Sequence, residues 1–192
     1  MKFIQNLQNI EIDDFQYDTA SAGRWFRRKL VQLERLYNKP VTQRAILNDG
    51  ESSARPMLGR LYFYRYAPKT RLKLEYYDTF PLTIPYRIRG RKMWGLNFHY
   101  LDLNTRRFLF SNLIDAGYVT EENTFNFTYK RVIGRSLFAS MKPTVHQYDL
   151  TRLRSPLIEI DAKEWPLALY LPTEAFKKKD KTFVWEESLN RI

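Results

Sequence analysis

The residues best suited to acid–base or metal chemistry in this chain are two histidines and a few closely spaced carboxylates. His99 lies in "GLNFHYL", among aromatic and apolar residues, which predicts a structural histidine satisfied by a backbone carbonyl. His146 lies in "PTVHQYD" with Asp149 three residues further on, but no other ligand-type residue is near. Since the chain also has no cysteine, a zinc site or a thiolate nucleophile is not predicted.

The carboxylates permit one weak enzymatic interpretation. Glu159 and Asp161 lie at strand spacing in "IEID" and Lys163 follows, as in nucleases that gather carboxylates and a lysine around a metal. The alternative is a strand end followed by a helix that Asp161 caps. Glu75 and Asp78 are expected to pair with arginines or to cap a turn. Phosphate-cradling and nucleophile-elbow motifs are absent, so we predict no enzyme, no metal and no cofactor.

Positive charge is concentrated in the middle of the chain. The formal net charge is +11, and residues 19–92 hold 17 Lys/Arg against 5 Asp/Glu. Such a field is typical of a protein with a polyanionic partner, reached through phosphate contacts and counterion release. Acidic sister subunits in an assembly are the alternative, because arginine serves both purposes. The candidate contacts to DNA or to an acidic partner are Arg24, Arg27, Arg28, Lys29, Arg87, Arg89, Arg91 and Lys92.

Aromatic residues are abundant, with 13 Phe, 13 Tyr and 4 Trp. "LYFYRY" and "YRIRGRKMW" interleave them with arginine, a pattern that suits stacking on single-stranded bases. Alternation along a strand sends half of these rings into a core, and tyrosine is also common at permanent protein interfaces. We therefore favour core or interface packing over base stacking. The interface candidates are Phe3, Phe15, Trp25, Phe183 and Trp185.

The elements that must position these residues fall into four segments. Residues 1–17 are typical of an N-terminal arm, and 18–57 of a basic helix followed by a polar linker from residue 41. Residues 58–175 form the predicted core domain, and 176–192 a charged C-terminal tail. Asp18, Thr19 or Ser21 can cap the basic helix, and Pro40 marks its end. No run of eighteen apolar residues predicts a membrane span, and the first residues do not resemble a secretory signal.

The core is expected to contain short twisted strands between residues 59 and 101. "PLTIPYRI" alternates so that Leu82, Ile84, Tyr86 and Ile88 share one face, while its prolines indicate an edge strand, a bulge or an extended loop. Gly90 is predicted in a tight turn and Gly95 at a bulge or close approach. The predicted fold class is α+β, with a small twisted β-sheet or SH3-like barrel, flanking helices and extended N- and C-terminal arms.

Helical and extended segments should alternate after the core strands. Asp102 or Asn104 can cap a helix that ends at Gly117, and a strand over 125–129 should precede a helix to about residue 140. "TVHQYDL" suggests a further turn and "SPLIEID" a strand. A short helix after Asp161 should bury Trp165 and Leu169.

A linked series of motifs gives the chain a family resemblance. The segments are "RWFRRKLVQLERL", "LYFYRYAPKTRLKLEYYDTFPLTIPY", "GLNFHYLDLNTRRFLFSNLID", "MKPTVHQYDLTRLRS", "EWPLALYLPTEAF" and "VWEESLNR". Their order and spacing resemble the virion proteins of T-even-type tailed phages labelled DNA end protector, over about residues 17–191. Ala67 departs from the family's usual Asp before proline, and Asp102 from its usual proline after "HYL".

The resemblance implies a non-enzymatic phage virion protein that binds and protects packaged DNA ends and completes the head or neck. Its implied partners are double-stranded DNA ends and other virion proteins in an oligomeric assembly, with no membrane. The implied location is the phage particle, after synthesis in the host cytoplasm. The alternative is a structural adaptor of the tail or baseplate, with its basic surface turned toward other proteins.

Overall fold

The computed structural model describes residues 42–49, 51–115, 142–160 and 165–192. The chain divides into two compact units, residues 1–50 and residues 51–192. In the first unit the described part is helix α1 (Gln43–Asp49). This helix lies where the sequence predicted a polar linker, so that expectation is corrected. The arm, the basic helix and the segment 125–140 lie outside the described residues.

The second unit is a mixed α+β body. Its strands are β1 (Glu51–Ser53), β2 (Leu61–Phe63), β3 (Tyr77–Asp78), β4 (Leu82–Arg89), β5 (Lys92–Asn97), β6 (Val145–Asp149), β7 (Leu157–Ile160) and β8 (Phe176–Lys177). Its described helices are α2 (Leu103–Asp115), α3 (Trp165–Tyr170) and α4 (Lys181–Leu189). None of the helices in these ranges is long and apolar enough to cross a membrane.

Six of the strands form one antiparallel sheet in the order β1-β7-β2-β4-β5-β6, and β3 pairs with β8 in a second, smaller sheet. The α+β prediction is confirmed. The large sheet is open, with β1 and β6 at its edges among the described strands, so an SH3-like barrel is not formed. The sheet also extends well beyond residues 59–101, because β7 inserts between β1 and β2 and β6 pairs with β5.

The aromatic strand β2 is buried on both sides. Leu61 and Phe63 face one side of the sheet, whereas Tyr62 and Tyr64 join a cluster with Met93 and Tyr148 on the other. Burial of both faces explains why β2 is a continuous run of large side chains. The aromatic residues of "LYFYRY" therefore serve mainly as core, as predicted.

Local capping signals in the sequence are confirmed. The carboxylate of Asp102 accepts hydrogen bonds from the backbone N–H groups of Asn104 and Thr105, which satisfies free donors at the start of α2. Trp165 and Leu169 are buried in α3, and the indole of Trp165 donates to the carbonyl of Ile160 over 2.9 Å. Residues 161–164, which include the predicted cap Asp161, lie outside the described residues.

Two segments differ from the sequence prediction. "TVHQYDL", expected to form a turn, contributes strand β6, because its backbone pairs with β5 along five residues. Residues 176–192, expected to form an extended charged tail, instead form β8 and α4. Asp180 caps α4 by accepting from the N–H of Phe183, and β8 pairs with β3 about a hundred residues earlier in the chain.

A buried arginine joins several of these elements. Arg106 in α2 is 0% exposed, and its guanidinium donates to the carbonyls of Leu101, Leu169 and His99. It also lies 3.4 Å from the carboxylate of Glu174, whose side chain is buried and also receives a hydrogen bond from Lys181. Arg106 thus connects α2, α3 and the segment before β8. Its role is structural, although nothing in the segment "NTRRF" distinguishes Arg106 from a surface arginine.

Gly95 is required by close packing between β4 and β5. A Cβ at this position would lie 2.3 Å from Thr83 Cγ2 and 2.9 Å from the Ile84 carbonyl oxygen. We expect Gly95→Ala to lower the free energy of unfolding by about 1–3 kcal/mol, as overpacking does in cores. Adding Thr83→Ser, which deletes Cγ2, should restore only part of the lost stability, because the close contact with the Ile84 carbonyl oxygen remains. Urea unfolding of both variants measures the effect, and a neutral Gly95→Ala would contradict it.

Candidate nucleic-acid interface

The hairpin of β4 and β5 presents four cations at its tip. Arg87, Arg89, Arg91 and Lys92 are all exposed. The register places Arg89 opposite Lys92 and Arg87 opposite Trp94. Gly90 closes the turn with a φ of 56°, a left-handed conformation that favours glycine, as predicted. We call Arg87, Arg89, Arg91 and Lys92 the hairpin cations.

A β-bulge decides which side of the sheet these cations occupy. Pro85 pairs with Gly95, but the next pair is Arg87 with Trp94, so Tyr86 is an extra residue in β4. The extra residue reverses the alternation. Ile88 then packs against the buried tyrosine cluster, whereas Arg87 and Arg89 share a face with Trp94 and Lys92. The sequence prediction that Leu82, Ile84, Tyr86 and Ile88 share one face is therefore wrong beyond the bulge.

The hairpin cations are exposed, as contacts to a polyanion require. Among the described residues, none of them forms an ion pair. The guanidinium of Arg87 lies 5.0 Å from the ring centroid of Trp94, a cation–π contact that holds the side chain over a flat aromatic surface. The nearest carboxylate along the sheet, Asp149, pairs with Lys92 only through the backbone, and its side chain accepts from Thr151. That hydrogen bonding to Thr151 holds the pKa of Asp149 below its usual value.

A second basic segment is not among the sequence-predicted contacts. Lys69, Arg71 and Lys73 are exposed on the turn that follows β2, where the N–H of Lys73 donates to the carbonyl of Thr70 over 2.8 Å. Leu72 between them is 86% exposed. The string "KTRLK" could have indicated this second basic segment, because cations alternate in it with other residues. The proline just before it favoured interpretation as a simple turn.

The remaining predicted contact residues divide into two groups. Arg24, Arg27, Arg28, Lys29, Phe3, Phe15 and Trp25 lie outside the described residues and stay predictions. Phe183 and Trp185 are half-buried within this chain. The indole of Trp185 donates to the carbonyl of His99 over 2.9 Å, and Phe183 lies edge-on to Tyr76. Both anchor α4 to the body, and a further role at an interface with other proteins stays a prediction.

The strongest resemblance to catalytic geometry is a buried Asp–His–Thr chain. His99 Nδ1 lies 2.8 Å from the carboxylate of Asp78, and His99 Nε2 lies 3.0 Å from the hydroxyl of Thr173. Asp78 also accepts from Asn97 and from the N–H of Phe80. His99 is 0% exposed and Thr173 is 3% exposed, so substrate does not reach the hydroxyl in this conformation. His99 is structural as predicted, but its partners are side chains rather than a backbone carbonyl.

The nuclease-like carboxylates have structural partners. Glu159 accepts from Arg60 over 2.6 Å and from the hydroxyl of Tyr62 over 3.2 Å, which joins β7 to β2. Asp161 and Lys163 lie outside the described residues. Within the described ranges no group of three His, Asp or Glu residues is arranged to hold a metal ion.

His146 lies beside a cavity and is stacked on Tyr100, with ring centroids 3.8 Å apart. Its Nε2 is 3.0 Å from the carbonyl oxygen of Pro143. A carbonyl only accepts, so Nε2–H donates and the neutral ring keeps Nδ1 as an acceptor. Burial lowers the pKa of His146 to about 4, against the effects of the Pro143 carbonyl and Asp78. The imidazole is therefore uncharged near neutral pH.

This shift predicts an acid-sensitive contribution to stability. Between pH 6.5 and 4 the unfolded chain protonates His146 while the folded chain does not, so the free energy of unfolding falls as pH falls. This dependence amounts to at most about 1.4 kcal/mol per pH unit, and His146→Gln should remove it. Asp78 and Glu174, whose pKa values are lowered in the fold, act mainly at lower pH. Urea unfolding at several pH values tests this, and equal slopes for both proteins would contradict it.

Comparison with known proteins identifies a family that matches most of the chain. The family model described as Phage T4 terminal DNA protecting protein matches residues 34–191, a span that includes the hairpin cations and the cavity. No curated protein and no solved structure matches the chain.

Proposed function

The chain belongs to the phage T4 terminal DNA protecting protein family, and we propose that it is a non-enzymatic virion protein that binds the ends of packaged double-stranded DNA. The observation that supports this most is the exposed hairpin, whose four cations form no ion pair among the described residues. Exposed cations on a two-stranded hairpin suit phosphate contacts, which position a protein on DNA without reading its sequence.

In this proposal the protein protects a DNA end by covering it and not by catalysing a reaction. A protein that covers a terminus blocks the entry of an exonuclease, and this requires affinity but no catalytic group. The buried state of the Asp78–His99–Thr173 chain and the structural partners of Glu159 are consistent with that role. Each phosphate neutralised by the hairpin should release about one counterion, so binding should weaken steeply with salt.

The test is protection of a linear duplex from a processive exonuclease across a salt series, with binding to a closed circle as control. We expect protection of the linear duplex at physiological salt and weaker binding to the circle. Equal binding to both forms would mean a generic basic surface. The absence of binding would overturn the proposal in favour of a tail or baseplate adaptor whose cations meet acidic subunits.

We further propose that the protein resides at the head or neck of the particle, where packaged ends lie, and contacts other virion proteins there. The exposed cations Arg71 and Lys73 of the turn after β2 support such contacts. A mass-spectrometric census of separated heads and tails is the direct test. Recovery with tails alone would place the protein elsewhere.

A further inference from the structure

The described body contains a cavity that the basic hairpin does not explain. Its volume is about 520 Å³, within the range of roughly 300–1,000 Å³ that is usual for small-ligand sites. It lies between the turn and loop that follow β2, strand β6 and the end of α4. We call it the β6 pocket.

Flat aromatic rings form part of the wall of the β6 pocket. Tyr76, Tyr100, His146 and Tyr148 all line it. Tyr100 and His146 are tilted by 30° and stacked, and the ring centroid of Tyr76 lies 6.0 Å from that of Tyr100. An uncharged aromatic wall is suited to stacking a planar heterocycle, and such stacking does not depend on the identity of the base.

The polar groups of the pocket complement a nucleotide. His146 Nδ1 is an acceptor without a partner among the described residues, and it matches the exocyclic amino group of a base. Lys69 is exposed at the pocket and forms no ion pair within the described residues. The carboxylates of Asp78 and Asp149, which also line the pocket, are already engaged with His99 and with Thr151 respectively. Lys69 is the exposed cation offered to a phosphate there, although the charge of Asp149 acts on it and Glu75 also lines the pocket.

The pocket is connected to the hairpin through the end of β6. Asp149 lines the pocket and is also the register partner of Lys92. The next residue, Leu150, donates its N–H to the carbonyl of Arg91 over 2.8 Å. Backbone contacts thus join the hairpin turn to the rim of the pocket, although Arg87, Arg89 and Lys92 lie on the sheet face opposite Tyr148.

We propose that the β6 pocket binds one unpaired nucleotide at a DNA terminus, with the base stacked on the aromatic wall and its phosphate at Lys69. This rests on the proposed function and adds how an end is distinguished from the interior of a duplex. The base pairs of an intact duplex are stacked on both sides and cannot enter, whereas an unpaired terminal nucleotide can. The unpaired nucleotide that would occupy the pocket is thus present at a DNA end and not within an intact duplex.

The experiment compares wild-type affinity for three labelled duplexes of equal length: blunt, with a short 5′ overhang, and with a short 3′ overhang. Fluorescence anisotropy at fixed salt gives each Kd. We expect one overhang to bind on the order of tenfold more tightly than the blunt duplex, since one base gains a stacking surface. The polarity that gains affinity identifies the strand that enters. Equal Kd values for all three duplexes would overturn the pocket proposal and leave DNA binding intact.

Variants separate the pocket from the hairpin. Thr70→Trp, which places a bulky ring at the exposed rim, should abolish the preference for the overhang and leave blunt binding nearly unchanged. Lys69→Ala should also abolish the preference, and it should weaken blunt binding slightly because Lys69 belongs to the second basic segment. Arg89→Ala is the matched control, because it should weaken binding to blunt and overhanging duplexes alike. If the wild type binds none of the duplexes, the proposed function itself fails. If Lys69→Ala and Thr70→Trp keep the preference, the pocket is not its source.

A spectroscopic readout on the wild type requires no variant. With 2-aminopurine as the unpaired terminal base, stacking in the pocket should quench its fluorescence, and the same base placed inside the duplex should show no change on binding. Unchanged terminal fluorescence at saturating protein would exclude base stacking in the β6 pocket.

Discussion

Changing Arg87, Arg89 and Arg91 together to Glu should weaken binding to linear duplex DNA by at least about a hundredfold at low salt. Each exposed cation near a phosphate contributes about 1 kcal/mol in water, and reversal replaces that attraction with repulsion. The slope of log K against log salt should also become shallower by about 0.9 for each phosphate that the variant no longer neutralises. Binding isotherms at several salt concentrations measure both effects.

The fold should survive this triple change, because the three side chains are exposed and form no ion pair among the described residues. Arg65, Arg154 and Lys177 provide a matched control, since they are exposed cations of the same unit that do not belong to the hairpin. Reversing those three alters the net charge equally. If the control loses as much affinity as the hairpin variant, binding follows the overall field of the protein, and the hairpin is not the interface.

Arg106→Met should lower the free energy of unfolding by about 3–5 kcal/mol, the usual cost of removing one partner from a buried ion pair. The change leaves the Glu174 carboxylate without its main cationic partner and deprives the carbonyls of His99, Leu101 and Leu169 of their donors. Burial alone raises the pKa of Glu174, and the charge of Arg106 is the first of the effects that bring it below its usual value. In the variant that pKa should rise.

Chemical denaturation of three variants makes the test specific. Adding Glu174→Gln to Arg106→Met should recover part of the lost stability, because the unpaired charge is removed, so the two changes are not additive. Arg107→Met is the neighbouring control on α2 and should change stability by less than about 1 kcal/mol. Similar losses for Arg106→Met and Arg107→Met would contradict the assignment of Arg106 as a buried connecting residue.

The local features of this chain are predictable from its sequence. The capping residue Asp102, the left-handed turn at Gly90 and the close approach at Gly95 are all predicted and confirmed. Each depends on the conformational limits of one residue type, and these act wherever the residue occurs. The absence of cysteine and the excess of basic residues before residue 93 are likewise properties of sequence alone.

The membership of the sheet could not be predicted, because it depends on pairings between distant segments. β7 inserts between β1 and β2, and β6 joins β5 across more than forty residues of chain. Hydrophobic periodicity reports the face of a strand but not its neighbour. The C-terminal residues resemble a charged tail for the same reason, since β8 is stabilised by β3 and not by its own composition.

The hairpin and the β6 pocket likewise combine features that the sequence predicts with features that only the packing of the chain decides. The sequence identified the basic hairpin from its charges and its glycine, but the bulge at Tyr86 determined which face carries Arg87 and Arg89. Adjacent arginines in "TRRF" look alike in sequence, yet burial makes Arg106 structural. The β6 pocket exists only because residues 66–78, 145–149 and the end of α4 converge. Residue type thus determined where charge and turns lie along the chain. Long-range packing decided which charges are buried, which are exposed, and where the aromatic wall forms.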